Sequence, residues 1–218
     1  MATMTEASPL IRGLALAETA SSPFRIFKDA RIALTISGIG KANAAMACAS
    51  LIQRFRPYLI CNIGAAGALD EKRKLGELYH INRVIEPDRP DFRTGAFMEQ
   101  LPDVLEGFTL ASLATQDRPL RTAEERKEAA GLADLVDMEG AALLQTARRF
   151  GLGCFLFKFV SDTPAHAQRS AIIENIERFR DVQLRFFEYL VLPALPVASA
   201  PERQAGVKTA ADDNSGKG

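Results

Sequence analysis

The chain has 218 residues, of which 47% are hydrophobic and 25% charged; this is typical of a soluble globular protein with one sizeable domain. Lysine plus arginine and aspartate plus glutamate number 27 each, so the zero net charge favours neither nucleic acid nor an anionic membrane as a partner. The sequence contains no signal peptide and no apolar run of membrane-spanning length, so we expect a cytoplasmic protein.

Apolar runs with β-strand character alternate with helical patterns along the chain. The predicted strands are Phe24–Phe27, Arg31–Ile36, Tyr58–Ile63, Leu78–Ile85, Thr109–Ala114, Ala133–Met138 and Cys154–Val160. The predicted helices are Lys41–Phe55, Ala123–Ala130, Glu139–Phe150 and Gln168 to about Leu190. This alternation predicts an α/β fold, a single three-layer domain over residues 1–192 with a mostly parallel or mixed central sheet flanked by helices.

Two segments show neither the helical nor the strand pattern. Residues 87–102 mix prolines, charges and aromatics, which predicts a surface excursion. Residues 193–218 drift into proline, alanine, serine, aspartate and glycine, which predicts a disordered C-terminal tail. Cys48, Cys61 and Cys154 lie in apolar runs without metal-ligand spacing, so we expect buried free thiols, no metal and no other cofactor.

Two carboxylates stand where predicted strands end. Glu139 directly follows the strand Ala133–Met138, and Asp162 follows the strand Cys154–Val160 after Ser161. Ligands of α/β sheets bind at the carboxyl ends of strands, so acids at these places are positioned for chemistry rather than for packing.

Longer motifs surround these acids. Val-Asp-Met-Glu-Gly-Ala-Ala spans residues 136–142, and Phe-Val-Ser-Asp spans residues 159–162. Earlier, Ser-Gly-Ile-Gly-Lys-Ala-Asn at 37–43 opens a helix, and Asn-Ile-Gly-Ala-Ala-Gly-Ala at 62–68 ends a buried strand. In this order the motifs resemble those of the nucleoside phosphorylase and nucleosidase superfamily. The resemblance covers roughly residues 4–190 and is closest to the branch that hydrolyses methylthioadenosine and adenosylhomocysteine.

The resemblance implies a purine nucleoside as substrate and a role for each motif residue. Asp162 would protonate the departing purine at N7, with Ser161 orienting it. Glu139 would accept hydrogen bonds from the ribose hydroxyls, and Met138 would pack against the sugar. Glu6 falls where the hydrolytic branch keeps a glutamate that activates water.

Each acid also has an ordinary structural interpretation. Glu139 suits the first turn of a helix, where a negative charge meets the positive end of the helix dipole. Asp162 suits the N-cap of the last helix. Glu6 suits a solvated position at a helix start.

Whether water or phosphate is the nucleophile depends on which residues are available to bind a phosphate anion. Phosphorylases of the superfamily hold phosphate with an arginine and a serine near the strand end that includes Gly64, where this chain has Asn62 and Ala65. We therefore predict that phosphate finds no positive partner there, that Gly64 and Ala65 contact the substrate, and that water attacks. Phosphorolysis is the alternative, and a catalytically inactive nucleoside-binding homologue is a third.

The loop expected to hold the base departs from the family. It reads Thr-Gln-Asp-Arg-Pro-Leu-Arg-Thr at 115–122, with Pro119 in the place of an aromatic residue. Asp117, Arg118 and Arg121 are either substrate contacts or a charged loop that leads to a helix N-cap at Thr122. Relatives with similar loops act on futalosine-like nucleosides or adenosyl-hopane, so the 5′ substituent stays open.

The resemblance also implies a homodimer with its active site at the subunit interface. The alanine-rich helix Lys41–Phe55 and residues 87–102 are the expected contact surfaces, although the helix face could equally lie against the chain's own sheet. The family opens with an apolar strand that ends where this sequence begins. Either the start of the coding sequence is misassigned or the sheet lacks its first strand.

Overall fold

A computed structural model describes residues 1–120, 122–166 and 168–197. The strands are β1 (Ala17–Ala20), β2 (Arg25–Lys28), β3 (Ala33–Ile36), β4 (Leu59–Ala68), β5 (Leu78–Pro90), β6 (Phe97–Gln100), β7 (Leu110–Thr115), β8 (Leu135–Asp137) and β9 (Gly153–Asp162). The α-helices are α1 (Met4–Gly13), α2 (Lys41–Phe55), α3 (Ala123–Ala130), α4 (Gly140–Arg149), α5 (Arg169–Phe186) and α6 (Leu192–Ala194). A 3₁₀ turn covers Pro164–His166, and a π-helical turn covers Phe187–Val191.

The main sheet is mixed and closes on itself. Its strands run in the order β6-β5-β7-β8-β4-β9, and β9 also pairs with β5, so β5, β7, β8, β4 and β9 form a ring. β4 and β9 are parallel, as are β5, β7 and β8, whereas the β4–β8 and β5–β9 contacts are antiparallel. β1, β2 and β3 form a smaller antiparallel sheet. The ring brings the ends of β4, β8 and β9 together.

Helix α2 shows how the alanine-rich sequence is used. Ala44, Ala47 and Leu51 lie on its buried face. The helix packs against α4, where small side chains permit close approach. Two of the five alanines, Ala44 and Ala47, are therefore covered within the same chain, whereas Ala45 and Ala49 are half-buried and Ala42 is exposed.

The central strand β9 is buried along nearly its whole length, as its continuous apolar sequence predicts. Phe157 stacks on the buried ring of His80 with centroids 4.2 Å apart. The His80 ring is held on both sides, because its Nδ1 lies 2.9 Å from the Leu156 carbonyl and its Nε2 accepts from Leu105 N at 2.9 Å. Burial lowers the pKa of His80, so the imidazole serves as a neutral packing group.

The segment predicted as an irregular excursion contains regular structure. β5 continues to Pro90, and β6 returns antiparallel to it, pairing Glu99 with Ile85. The prolines at 87 and 90 lie toward the end of β5, where fewer ladder hydrogen bonds are required of them. Sequence patterns missed β6 because it is short and has no buried residue.

Both ends of the chain add to this fold. The carbonyls of Met1 and Ala2 accept from Ser37 N and Gly38 N, each at 3.0 Å, so these residues lie alongside the end of β3. At the other end, Leu195 is buried in the core, so packed structure passes the predicted boundary at residue 192. Residues 198–218 of the predicted tail lie outside the described part of the chain.

Candidate functional site

A cavity of about 190 Å³ opens where β4, β8 and β9 end beside the first turn of α1. Its walls come from distant parts of the sequence, and they include Glu6, Ala65, Met138, Glu139, Ser161 and Asp162 among the predicted site residues. Gly64 lies next to this lining rather than in it. The remaining walls are formed by Ala2, Thr3, Ile39, Ala66, Gly67, Arg118, Pro119, Leu120, Arg126, Val136, Asp137, Ile172 and Ile176.

Glu6 is a buried acid whose carboxylate forms hydrogen bonds both at the start of α1 and with β4. Its Oε2 accepts from Thr3 N at 3.0 Å and from Thr3 Oγ1 at 2.7 Å, which forms a capping box at the start of α1. Its Oε1 accepts from Ala65 N at 2.9 Å, which fixes the helix start against the end of β4. Glu6 is 4% exposed, so the interpretation as a solvated acid is wrong.

Glu139 lies at the N-cap position of α4 but makes no capping hydrogen bond with its side chain. Its Oε1 instead accepts from Gly40 N at 2.9 Å, which joins the glycine turn before α2 to the end of β8. Gly40 has φ of 102°, a conformation that side chains rarely adopt. The carboxylate therefore points to the cavity and is not a helix cap.

A buried lysine interacts electrostatically with Glu6 and Glu139. Lys158 Nζ lies 2.8 Å from Asp137 Oδ2, and both side chains are almost completely buried. The Asp137 carboxylate accepts two further hydrogen bonds: Thr115 Oγ1 donates to Oδ1 at 2.6 Å, and Gly140 N donates to Oδ2 at 2.8 Å. We call Glu6, Asp137, Glu139 and Lys158 the lysine cluster.

The position of Gly64 explains why that residue has no side chain. A Cβ at position 64 would lie 3.0 Å from Glu6 Oε1 and 3.9 Å from Lys158 Nζ. Gly64 thus lets the β4 backbone pass directly beneath the lysine cluster and leaves room for the carboxylate of Glu6.

The charged groups of the lysine cluster shift one another's pKa values. Burial, followed by repulsion from Asp137, raises the pKa of Glu139 to about 7, against the opposing effects of Lys158 and the Gly40 hydrogen bond. Burial alone would lower the pKa of Lys158, but attraction to Asp137, Glu139 and Glu6 outweighs it and raises that pKa. Lys158 is therefore cationic at neutral pH.

Asp162 lies at the other end of the cavity and is paired with an arginine. Its Oδ2 accepts from Arg126 Nη2, and its Oδ1 accepts from Ser161 Oγ at 2.7 Å. Arg126 Nη1 donates to the Ala68 carbonyl at 2.8 Å. We call Asp162 and Arg126 the arginine pair. The N-cap interpretation of Asp162 is wrong, because the last long helix begins at Arg169 with Gln168 as its N-cap.

The loop before α3 contributes a wall but few directed contacts. Pro119 and Leu120 line the cavity, whereas Arg118 is mostly exposed and pairs with Glu125. Asp117 accepts from Lys41 N at 3.2 Å. Thr122 and Glu125 form the predicted N-terminal cap of α3 as a capping box. Arg121 lies outside the described residues.

Sequence reasoning missed three charged residues of the site. Lys158 interrupts the apolar run that became β9, and this interruption was a usable signal. Asp137 lies inside the motif at 136–142, in which Glu139 but not Asp137 was predicted to serve the site. Arg126 gave no signal, because α3 is a charged helix without an apolar face. The expectation of no positive partner near Ala65 is wrong, since Lys158 lies there, although Asp137 already pairs with it.

Comparisons with known proteins identify the family of this chain. The sequence profile of the Phosphorylase superfamily matches residues 16–195. The 5′-methylthioadenosine/S-adenosylhomocysteine nucleosidase of Staphylococcus aureus is 30% identical over 161 residues, which cover 63% of this chain and 71% of that protein.

Solved structures resemble the fold at lower identity. The apo 5′-methylthioadenosine nucleosidase of Arabidopsis thaliana superimposes with a TM-score of 0.78 at 20% identity, covering 88% of this chain and 93% of that one. Native futalosine hydrolase of Helicobacter pylori gives 0.76 at 19% identity, covering 88% and 95%. The predicted α/β domain with a mixed sheet between helices is confirmed.

Proposed function

Because the chain belongs to the phosphorylase superfamily, we propose that it hydrolyses the N-ribosidic bond of a purine nucleoside and releases the free base. One observation carries the proposal: a single cavity collects Glu6, Glu139 and Asp162 from three distant segments of the chain. The nucleosidase from Staphylococcus aureus supports the hydrolytic reaction. The futalosine hydrolase fold leaves the 5′ substituent open.

The two ends of the cavity match the two charges that develop during this reaction. When the bond between C1′ and N9 breaks, its electron pair moves onto the purine and the sugar becomes an oxocarbenium-like cation. In our proposal Asp162 takes up a proton from solvent when the nucleoside binds and delivers it to N7 of the purine. Ser161, hydrogen-bonded to it at 2.7 Å, fixes the carboxyl orientation. The carboxylate of Glu139 accepts from the ribose hydroxyls and stabilises the positive sugar, against which Met138 packs.

The water molecule attacks C1′ and gives its proton to Glu6 in this scheme. Glu6 suits the task because its two oxygens are anchored by Thr3 and Ala65 N, so the carboxylate is held in one orientation. Lys158 is the counter-ion of the lysine cluster and keeps the acids there from being left buried without a positive charge. It acts through Asp137 and not on the substrate.

Charge favours water over phosphate as the nucleophile. Lys158 is buried at 2% exposure and already paired, and the carboxylates of the lysine cluster outnumber it. A phosphate dianion entering beside Glu6 would lose its hydration and meet net negative charge. Activity should therefore not depend on phosphate.

The test is a panel of purine nucleosides assayed for released base and for the sugar product. Free ribose in equal amount with and without phosphate supports hydrolysis, and the Asp162→Asn variant supplies the background rate. Accumulation of ribose 1-phosphate, or a rate that rises with phosphate, would instead establish a phosphorylase. Tight nucleoside binding without base release would identify an inactive binding protein.

We also propose that the protein is a cytoplasmic homodimer. Two large apolar side chains are uncovered, Ile39 of the cavity wall at 56% exposure and Met46 of α2 at 54%. Within the described residues, none of the helices combines the length and apolar character that a membrane crossing requires. Sedimentation at micromolar concentration should give a dimer that Met46→Glu dissociates, and a wild-type monomer would refute the dimer.

A further inference from the structure

The turn that holds the Glu139 carboxylate has little rigidity of its own. Gly38 and Gly40 within it have positive φ, 82° and 102°, and glycine loses more freedom on ordering than any other residue. Gly38 N donates to the Ala2 carbonyl at 3.0 Å, which fixes the start of the turn. At its end, Gly40 N is the only hydrogen-bond donor to the Glu139 carboxylate within the described part of the chain. The orientation of Glu139 therefore depends on the contacts that fix the end of the turn.

Lys41 closes a ring of hydrogen bonds at this end. Its backbone N–H is one of the first donors of α2, which have no partner inside the helix, and it donates to Asp117 Oδ1 at 3.2 Å. The backbone N–H of Asp117 donates to Asp88 Oδ2 at 2.8 Å. Asp88 Oδ1 accepts from Lys41 Nζ, also at 2.8 Å. We call Lys41, Asp88 and Asp117 the Lys41 ring; it joins the start of α2, the end of β5 and the loop before α3.

The Lys41 ring does more than balance the charge of a buried acid. Glu86 is almost completely buried and lies 3.4 Å from Lys41 Nζ, but it also accepts from Gln145 Nε2 and has Arg89 Nη1 at 3.4 Å. The lysine lies closer to Asp88 than to Glu86. Burial lowers the pKa of Lys41, but the hydrogen bond to Asp88 and the attraction of its acidic neighbours outweigh burial and raise it. Lys41 is therefore a charged donor at neutral pH that holds the exposed end of β5 as well as Glu86.

The Lys41 ring also links two walls of the cavity. Ile39 of the turn lines the cavity, as do Pro119 and Leu120 of the loop that contains Asp117. On the premise of the proposed function, we propose that Lys41 is a positioning residue, which through Asp88 and Asp117 fixes the Gly40 turn and so orients Glu139 toward the ribose. A small misplacement of a group that stabilises the transition state lowers the rate strongly.

The pKa of Glu139 separates positioning from a direct charge effect. Burial and repulsion from Asp137 raise this pKa to about 7, and the Gly40 hydrogen bond opposes them. A loosened turn weakens that hydrogen bond and raises the pKa further. Loss of the negative charge of Asp88 acts in the opposite direction, because a carboxyl group ionises more easily when a neighbouring negative charge is removed. The charged groups that face Glu139 are Asp137, Lys158, Glu6 and the amino group of Met1, and the variants below change none of them.

The first experiment is Asp88→Ala, which opens the Lys41 ring and keeps the ion pair of Lys41 with Glu86. We expect the Glu139 carboxyl to titrate at higher pH by about half a pH unit, measured by carbon NMR and assigned from the signal that Glu139→Gln lacks. With the nucleoside that the wild type cleaves fastest, kcat/KM should fall by about tenfold to hundredfold. The loss should lie mainly in kcat, because the contacts of Glu139 with the ribose strengthen in the transition state.

The second experiment compares Lys41→Met with Arg73→Met. Lys41→Met removes a partner of a buried acid and should lose stability whatever its role, so the titration of Glu139 and kcat are the informative measurements. Both should change as in Asp88→Ala. Arg73 is the matched control, because its side chain is 19% exposed and contacts two acids, Asp70 and Asp134, outside the cavity lining. Arg73→Met should keep the wild-type titration and kcat. If Lys41→Met does not fold, Asp88→Ala decides.

The outcomes separate this inference from the proposed function. The inference requires both the higher pKa of Glu139 and the lower kcat in Asp88→Ala. A pKa that is unchanged or lower, a wild-type kcat, or the same changes in Arg73→Met would each overturn it, and the hydrolase would stand. If the wild type cleaves no nucleoside, the proposed function fails, and the NMR titration still decides whether the Lys41 ring orients Glu139.

Discussion

The acids of the lysine cluster and the arginine pair line one cavity, and the two groups have different charge arrangements. In the lysine cluster, Glu6, Asp137 and Glu139 share one cationic side chain, Lys158, and the amino group of Met1 also acts on Glu6 and Glu139. In the arginine pair, one carboxylate meets one guanidinium, whose Nε has no hydrogen-bond partner among the described residues. The first end is therefore acid-rich and the second is balanced and rich in donors.

In the proposed reaction, each end would accommodate a different charge. An acid-rich end stabilises a positive sugar, and a donor-rich end stabilises a purine that gains negative charge. Burial, followed by repulsion from Asp137, raises the pKa of Glu139 to about 7, so the charged form of this acid is disfavoured in the empty site. A binding site that is strained when empty commonly trades stability for activity.

The largest effect should come from the arginine pair. Asp162→Asn removes the proton donor and should lower kcat by about a hundredfold to ten-thousandfold, which is the usual contribution of general acid catalysis. Asp70→Asn is the control, because Asp70 pairs with Arg73 outside the cavity lining. A near-normal rate of base release from Asp162→Asn, with an unchanged melting curve, would contradict the assignment.

The next effect tests whether Glu6 is more than a helix cap. Glu6→Gln should reduce hydrolysis by about a hundredfold or more, since a neutral amide cannot take a proton from water. It should not create phosphate-dependent cleavage. Glu125→Gln alters the corresponding capping box of α3 and is the matched control for stability. If both variants lose the same activity, Glu6 acts through folding alone.

The sequence predicted those parts of the fold that local patterns determine. α2 and α3 begin and end where predicted, since a glycine turn and a Thr122–Glu125 capping box mark their starts. β6 was missed because pairing with β5, and not its own sequence, makes it a strand. β9 is longer than predicted because its polar end, Ser161–Asp162, continues the ladder with β4.

In the site, too, the sequence predicted the residues that local patterns determine and missed those that depend on distant partners. Glu139 and Asp162 were predictable because each follows an apolar strand, and strand ends meet at one edge of a sheet. Lys158 and Arg126 were missed, because burying a charge depends on a partner far away in sequence. Lys158 lies 21 positions after Asp137, and Arg126 lies 36 positions before Asp162. A single sequence does not record such pairings.

Removing the cation should expose how the lysine cluster is balanced. Lys158→Met leaves buried acids without a counter-ion and should cost about 3–5 kcal/mol of stability at pH 8. At pH 5 the cost should be smaller, because loss of the cation raises the folded-state pKa of the acids, and protonation then relieves their repulsion. Urea unfolding at the two pH values measures this, with Lys158→Arg as the charge-preserving control. An equal loss at both pH values would show that Lys158 stabilises by packing.

The smallest expected change is also the one in which stability and activity move in opposite directions. In the folded protein the pKa of Glu139 is raised from 4.5 to about 7. Between pH 4.5 and about 7, Glu139 therefore keeps its proton in the folded state and has lost it in the unfolded state. The stability associated with that proton is complete below pH 4.5 and is lost as pH rises through about 7.

Glu139→Gln removes this titration while keeping an oxygen that accepts from Gly40 N. The variant should therefore match the wild type near pH 4 and exceed its unfolding free energy by up to about 3 kcal/mol at pH 8. Its kcat/KM should fall by about a hundredfold, because a neutral amide stabilises a positive sugar poorly. In the wild type, activity should rise with pH through about 7 as the carboxylate forms. A lower melting temperature of the variant at pH 8 would show that Glu139 is a structural residue. The charged carboxylate would then not destabilise the folded protein, and no trade between stability and catalysis would exist at the acid-rich end.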